Sequence, residues 1–399
     1  MIAIMLAPVY LLLNFYILRW NLRWMRACKN NFKSKSFKVI YISFYTFIST
    51  ALVFAYFLPI SAFQKLLSEV GNYWLGTFVY IALLVSLFDL IIRIVLVFHK
   101  KTANTRIVIS KKTFVLAGGI CISLIILIST YGIFHQKHIY NTDYDIYINK
   151  KCGSEKSMKV ALVADLHLGY SIGVPTIKNM VIKINELDAD LVCIAGDIFD
   201  NNYDSLDDPE ELIRILKEIK SKYGVYACYG NHDIDEKLLV GCTINTKERA
   251  EIDPRMNEFL EKANIKLLSD EVENINNEFY LVGRVDCSTA KRSEVRKSPE
   301  ELINSLDKSK PIFVIDHQPK ELEELANCGV DLDMCGHTHD GQIFPLNLTS
   351  KIIWENSRGL LKKGDMTSVV TSGVGFYGPG VRVGTEAEVV DLKINFKSK

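Results

Sequence analysis

Apolar positions in the first third of the chain fall into long runs: Ile2 to Ile17, Val39 to Ile60, Trp74 to Phe98 and Phe114 to Phe134. Each is close to the ~20 residues that an α-helix needs to cross the hydrocarbon core of a bilayer. Residues 1–135 are therefore expected to form an all-α transmembrane bundle of about four helices. The first run is the weakest, being short and starting at the initiator. A cleaved leader would carry its basic residues ahead of the apolar run, whereas here they follow it.

From Tyr140 the pattern changes to short β-type runs alternating with amphipathic helices, so residues 140–399 read as a separate domain of α/β class. Strands are expected at Tyr144–Ile148, Met158–Ala164, Asp190–Ala195, Val225–Tyr229, Ile265–Leu268, Val272–Ile275 and Phe279–Val282. Pro311–Ile315, Leu332–Cys335, Ser368–Thr371 and Glu388–Ile394 continue the series. The intervening segments Pro175–Leu187, Pro209–Lys222, Pro254–Ala263 and Lys320–Ala326 have helical spacing.

Charge adds a direction to this picture. The segment after the first run carries Arg19, Arg23, Arg26, Lys29, Lys33, Lys35 and Lys38, and that between the third and fourth carries Lys100, Lys101, Arg106, Lys111 and Lys112. The connector between runs two and three offers only Lys65 and Glu69. Positive connectors stay in the cytoplasm, so with four spans the domain after His135 is expected outside the membrane. The net charge of +1 leaves no basic surplus that would mark a dedicated nucleic-acid binder. Cys193, Cys228 and Cys335 lie inside apolar runs and read as buried thiols, with no disulfide framework or zinc-knuckle spacing among the nine cysteines. Within the third run, Asp89 and Arg93 are one helical turn apart and are expected to pair.

Candidate chemistry stands at the ends of the buried strands. DLH at Asp165–His167, GDIFD at Gly196–Asp200, GNHD at Gly230–Asp233, DHQP at Asp316–Pro319 and GHTH at Gly336–His339 each place Asp, His or Asn directly after an apolar run. Asp165 and His167, two apart, would share a face in extended chain and grip one divalent cation. Asp197 is the best candidate for a carboxylate bridging two cations, with Asn231, His317 and His337 around the second ion and His339 reaching the first. His232 stands between Asn231 and Asp233 and is the candidate for proton work without binding metal.

In that order these motifs resemble the calcineurin-like metallophosphoesterase superfamily, over roughly residues 158–394. Within it the chain is similar to bacterial membrane-associated phosphoesterases, through HQP, GHTHxGQ and tail pieces at Ser357–Gly359, Thr371–Gly375, Gly378–Pro379 and Val381–Thr385. The resemblance implies a four-layer sandwich of two sheets flanked by helices. It divides the ligands into Asp165, His167, Asp197 and His339 for one ion, and Asp197, Asn231, His317 and His337 for the other, with a bridging hydroxide as nucleophile. It also pairs His232 with Asp200, whose alternative role is a turn or capping acid. Asn201 stands where the family's protein phosphatases carry Arg, which points away from phosphoprotein substrates. Asp340 replaces the Gly usual in the bacterial branch, and either adds negative charge beside His339 or turns outward.

These features give one expectation: a membrane-anchored phosphoesterase with two divalent ions (Mn, Fe, Zn or another first-row cation), acting on phosphate esters, with phosphodiesters of lipid or envelope origin favoured. No specific nucleic acid and no protein partner is implied. Two alternatives stay open: a membrane sensor or assembly protein using the fold as a binding platform, and a cytoplasm-facing nucleotide phosphodiesterase. The segment Glu236–Asp253 reads as a lid or a surface excursion, and Phe376 and Tyr377 as a groove wall or core.

Overall fold

The computed structural model describes residues 2–103, 110–234, 238–239, 242–243, 251–289 and 295–397. It divides into two compact units, the first holding Met1–Phe134 with Gly378–Val381 and the described residues of Leu238–Ile244. The second holds His135–Lys237, Asn245–Tyr377 and Arg382–Lys399. Most of Glu236–Asp253 lies outside the described residues.

The first unit contains α1 (Ile2–Cys28), α2 (Lys35–Ser49), α3 (Ala51–Phe57), α4 (Ala62–Ala103) and α5 (Lys111–His135). The Ser34 side chain caps α2 by accepting from Phe37 N, and α3 ends where Leu58, forced into extended backbone by Pro59, leaves the helix. Among the described residues two helices are long and apolar enough to cross a membrane, Ala62–Phe98 of α4 and α5. Helices α2 and α3, bent by 56°, count as a third only if they form one broken span. The expected first span, Ile2–Ile17, begins with side chains outside the described residues, and the rest of α1 carries Asn14, Arg19, Arg23 and Arg26. Two spans, or three with the bent pair, therefore stand among the described residues where about four were expected.

Some polar groups inside this unit are matched between helices. Tyr45 Oη donates to Asn14 Oδ1 at 2.9 Å, and Trp74 Nε1 donates to Tyr10 Oη at 3.0 Å. Asp89 does not take Arg93 as expected. Tyr16, Trp20 and Arg23 recur at helical spacing on α1 and converge on it, with Tyr16 Oη at 2.9 Å, Trp20 Nε1 at 3.2 Å and Arg23 Nη2 at 3.6 Å. A carboxylate among apolar helices is costly unless it collects donors, and three from one face satisfy it better than one residue along its own helix.

The second unit is built from β1 (Ile139–Ile148), β2 (Ser157–Val163), β3 (Leu191–Ala195), β4 (Val225–Cys228), β5 (Ile265–Leu267) and β6 (Glu271–Ile275). It continues with β7 (Phe279–Gly283), β8 (Ile312–Ile315), β9 (Leu332–Cys335), β10 (Gly359–Lys363), β11 (Met366–Val370) and β12 (Ala387–Phe396). Two six-stranded sheets result, in the orders β1-β12-β2-β3-β4-β5 and β10-β11-β9-β8-β7-β6. Both are mixed. Strands β2 to β5 run parallel beside antiparallel β12, and β7, β8, β9 and β11 run parallel between the antiparallel edges β6 and β10.

Side-chain alternation assigns the layers. Val160 and Leu162 of β2 join Phe313 and Ile315 of β8 in the core between the sheets. Their neighbours Ala161 and Val163 face outward into a second core closed by α6 (Val174–Glu186), α7 (Pro209–Leu216) and α8 (Pro254–Lys262). Ile312 and Val314 face a third core closed by α9 (Pro299–Ile303) and α10 (Leu322–Asn327). Burial on both faces explains why the central strands read as continuous apolar runs. Each fully buried Phe or Ile contributes about 1.5–3 kcal/mol. The order helix, sheet, sheet, helix is the four-layer sandwich.

Helix α7 stops at Leu216, six residues before the expected end, because Lys217 to Lys222 offers only Ile219 to the core. Strand β10, α9 and α11 (Asn347–Ile353) were not anticipated.

Candidate metal centre

All five motifs emerge from the C-terminal ends of parallel strands, which is where open α/β sheets place their ligands. DLH follows β2, GDIFD follows β3 and GNHD follows β4 in one sheet, while DHQP follows β8 and GHTH follows β9 in the other. The loops are stitched together by backbone hydrogen bonds, Asp165 N to Gly196 O at 2.9 Å, His167 N to Asp197 O at 3.0 Å and Gly336 N to His317 O at 3.0 Å. One further bond joins the sheets: His317 Nδ1 lies 2.9 Å from the Ala195 carbonyl of β3 and donates to it.

Asp165 and His167 do not lie on extended chain. Their φ values are 55° and 46°, and Asp197, His337 and His339 are left-handed too, at 50°, 71° and 48°. Such backbone costs a non-glycine residue roughly 1–3 kcal/mol and clusters at functional sites. It turns successive side chains inward from a tight loop, which an extended strand end would not do. Glycines make room: a Cβ on Gly196 (φ 78°) would meet His317 Nδ1 at 2.6 Å, and one on Gly230 would collide with the Asp197 carboxylate.

His167, Asp200 and His232 offer ligand atoms within 4.8 Å of one another. The remaining candidates converge as two further groups, Asp165 and His339 with His167, and Asp197 with His317 and His337, each within the same distance. Asp197 Oδ2 lies 3.1 Å from His317 Nε2 and 3.7 Å from His167 Nε2, so this carboxylate stands between the groups. Asn231 Oδ1 lies 3.1 Å from His317 Nε2. Histidine nitrogens face each other at 3.1 Å in two places, His167 Nε2 with His339 Nε2 and His337 Nδ1 with His317 Nε2.

Burial lowers His337 to about 3 and, with His167 and Arg382 nearby, holds His339 well below the usual imidazole range, so both rings are neutral. Burial also opposes charge on Asp197 and His317, but their mutual attraction wins, holding the carboxyl well down and the imidazole well up. Burial lifts Asp165 to about 6, against the pull of His317. A proton on His317 Nε2 thus faces Asp197, Asn231 and His337 Nδ1 together, a set of oxygen and nitrogen donors that suits a divalent cation better than one hydrogen. Among the described residues the buried His167 Nδ1 has no hydrogen-bond partner; Asp200 Oδ1 lies 3.8 Å from it. The residues present therefore fit two divalent ions.

His232 Nδ1 is hydrogen-bonded to Asn201 Oδ1, while Asp200, 3.8 Å from His167 Nδ1, offers a carboxylate oxygen within 4.8 Å of ring nitrogens of both His232 and His167. Asn201 is buried with φ 60°, and its amide Nδ2 donates to Ile234 O at 3.3 Å, which fixes Oδ1 toward the imidazole. Asp233 serves the backbone, accepting from Phe199 N at 2.7 Å and Gly230 N at 2.6 Å. Burial and Asp197 lift its carboxyl to about 7.

Tyr377 packs on His232 with ring centroids 4.4 Å apart, while its neighbour Phe376 is buried in the outer core. Trp354, which the sequence did not single out, stands against His337 at 5.0 Å. Asp340 is buried beside His339, 4.0 Å from Arg358 Nη1, so it neither turns outward nor stands uncompensated.

Tail pieces read only as family wording hold the loops. Arg382, fully buried, donates to Ser372 O at 2.9 Å and Gly375 O at 2.7 Å and lies 3.5 Å from His339 Nδ1. Gly375 N donates to Asp165 O at 2.8 Å. Arg358 pairs with buried Glu388 at 2.5 Å.

Asp316 of DHQP takes no part in either ligand group. Buried Arg284 at 3.3 Å and Arg296 at 2.6 Å neutralise it, and both arginines share Glu321. Arg284→Ala is expected to destabilise the second unit by about 3–5 kcal/mol, since it strips a buried charge of a partner. A fall in the urea midpoint measures this.

Residues 158–341 match the family model for calcineurin-like phosphoesterases. These residues are a calcineurin-like phosphoesterase domain. This phosphoesterase domain has curated relatives. An uncharacterized metallophosphoesterase of Helicobacter pylori (strain J99) is 28% identical over 251 residues, covering 62% of each chain. The transmembrane protein with metallophosphoesterase domain of Bos taurus is 26% identical over 63% of this chain and 56% of its own. An uncharacterized metallophosphoesterase of Aquifex aeolicus is 28% identical over 68% of this chain and 95% of its own. The match thus spans about three fifths of the length of the Helicobacter and bovine relatives.

Proposed function

We propose that the chain is a membrane-anchored, metal-dependent phosphoesterase that hydrolyses phosphate esters, with phosphodiesters of lipid or envelope origin as its substrates. The observation that carries the reading is the convergence of Asp165, His167, Asp197, Asn231, His317, His337 and His339 from five loops. Asp165, His167, Asp197 and His339 would hold one ion, and Asp197, Asn231, His317 and His337 the other. When bound, two such ions supply an activated nucleophile and stabilise charge on the attacking and leaving oxygens.

The chain's own residues do the rest. Asn201 engages Nδ1 of His232, so the proton that His232 gives to a leaving oxygen is carried on Nε2. Burial lowers the His232 imidazolium below its ordinary pKa, which favours release of that proton. Tyr377, tilted against His232 at 4.4 Å and 5.5 Å from His167, restricts the His232 ring and limits water on that side. Asp200, 3.8 Å from His167 Nδ1, favours the protonated form of that ring.

The basic connectors support a catalytic unit outside the cytoplasmic membrane, in a multi-pass protein. Protease accessibility in intact spheroplasts tests this; protection of the phosphoesterase domain would reverse the topology. The activity is tested with the full chain in detergent, stripped of metal, reloaded with Mn and assayed on chromogenic mono- and diesters. Absence of metal-dependent turnover on both classes sinks the enzymatic reading.

A pH dependence follows from His317. Its raised pKa means that a proton must leave Nε2 before that nitrogen can bind a cation. Metal loading is expected to release protons and to tighten as pH rises through the His317 pKa, above the ordinary histidine range. Isothermal titration in two buffers of different ionisation enthalpy reads the proton count, and equal heats would contradict it.

A further inference from the structure

Helix α11 is built inside out. Asn347 and Ser350, three residues apart, are buried, while Leu348, Ile352 and Ile353 are exposed by 51%, 84% and 72%. Phe344 and Leu346, leading into the helix, are exposed by 48% and 47%. An ordinary surface helix has the opposite arrangement, and a contiguous exposed apolar patch marks an interaction surface. Two lysines accompany it: Lys351 is exposed on the same helix, and the Lys320 ammonium sits over the Trp354 ring at 5.4 Å.

The patch runs straight into the metal centre. Ile353 is followed by Trp354, whose ring stands 5.0 Å from that of His337. We propose that this face docks on a lipid bilayer carrying anionic headgroups, so that the phosphoesterase site works on an amphiphilic phosphate ester held in that surface. Exposed aliphatic side chains interleaved with lysine, ending on a half-buried Trp, are the composition that settles at the boundary between headgroups and acyl chains. The same chain supplies two helices apolar enough to sit in that bilayer. Leu348, Ile352 and Ile353 enter the acyl boundary, Lys351 and Lys320 meet lipid phosphates, and Trp354 separates the buried face from the ligand loops. The docking surface stands on exposure and charge; the substrate class rests on the function proposed above.

The test uses the full chain in lipid nanodiscs containing phosphatidylglycerol. A fluorescent coumarin amino acid is installed in place of Ile352 and, as a control, in place of exposed Glu218 near the C-terminal end of α7. Quenching by nitroxide-labelled lipids at position 352 and by aqueous iodide at 218 is the expected result. Iodide quenching at 352 overturns the proposal, as does protection at 352 that nitroxide lipids do not reach and that accompanies dimers by light scattering. In a second arm, the double variant Ile352→Ser, Ile353→Ser is expected to lose about tenfold in turnover of a nanodisc-embedded phosphodiester while keeping wild-type rates on a water-soluble chromogenic ester. Equal loss on both substrates overturns the interfacial role. A wild type inactive on every ester would remove the phosphoesterase reading, while the quenching arm would still read docking.

Discussion

Asp197→Ala lowers metal-dependent hydrolysis to the level of the metal-stripped protein and leaves the purified chain holding fewer than two ions. The size of the effect follows from position. Asp197 Oδ2 lies between His317 and His167, and Oδ1 accepts from His232 N at 2.8 Å, so a single substitution removes the carboxylate proposed to serve both ions and frees the GNHD loop. It also removes the carboxylate that holds His317 protonated in the metal-free state. Sites in which two ions clamp one displacement lose most of their transition-state stabilisation with either ion, so a fall of at least about 10³-fold in kcat is expected. Metal analysis of the purified variant beside its turnover number checks it. Two ions bound with wild-type turnover would refute the ligand assignment.

The second expected result separates proton transfer from metal binding. His232→Ala keeps two ions but loses roughly 10²–10⁴-fold in kcat, the range for a positioned general acid. Asn201→Ala should fall between that variant and wild type, because it leaves the imidazole present but frees Nδ1 from its partner. The loss should shrink for esters whose leaving group has a low pKa and needs no proton, such as a nitrophenolate. An equal loss for nitrophenyl and alkyl esters would assign His232 to binding instead.

These two residues also show where the sequence was and was not sufficient. The strand-and-motif pairs were legible because strands buried on both faces are continuous apolar runs, and a polar cluster directly after one has to lie at a sheet edge. Leu332–Cys335 agrees with its expected bounds for that reason. Edge strand β10 was not legible, since Gly359–Lys363 ends in two lysines and its residues are half-buried or exposed. The partner of His232 was hidden because it depends on one left-handed residue: Asn201 at φ 60° carries its amide to the imidazole, and nothing in the local spacing specifies that turn. Arg382 and Trp354 were missed because their roles arise only when segments that follow GHTH fold back over the candidate ligand loops.

The hydrogen bond from His317 to the Ala195 carbonyl has a consequence for how the second unit holds together. The core between the two sheets is apolar and non-directional, so by itself it permits small sliding of one sheet on the other. At the ligand edge that freedom is absent: β3 and β8 are tied through one imidazole, and ions held by loops from both sheets would clamp the same seam. The centre is thus a clasp as well as a reaction site. Withdrawing its metals would act first on the relative register of two otherwise intact halves, and would show as faster amide exchange along β3 and β8 before any strand is lost.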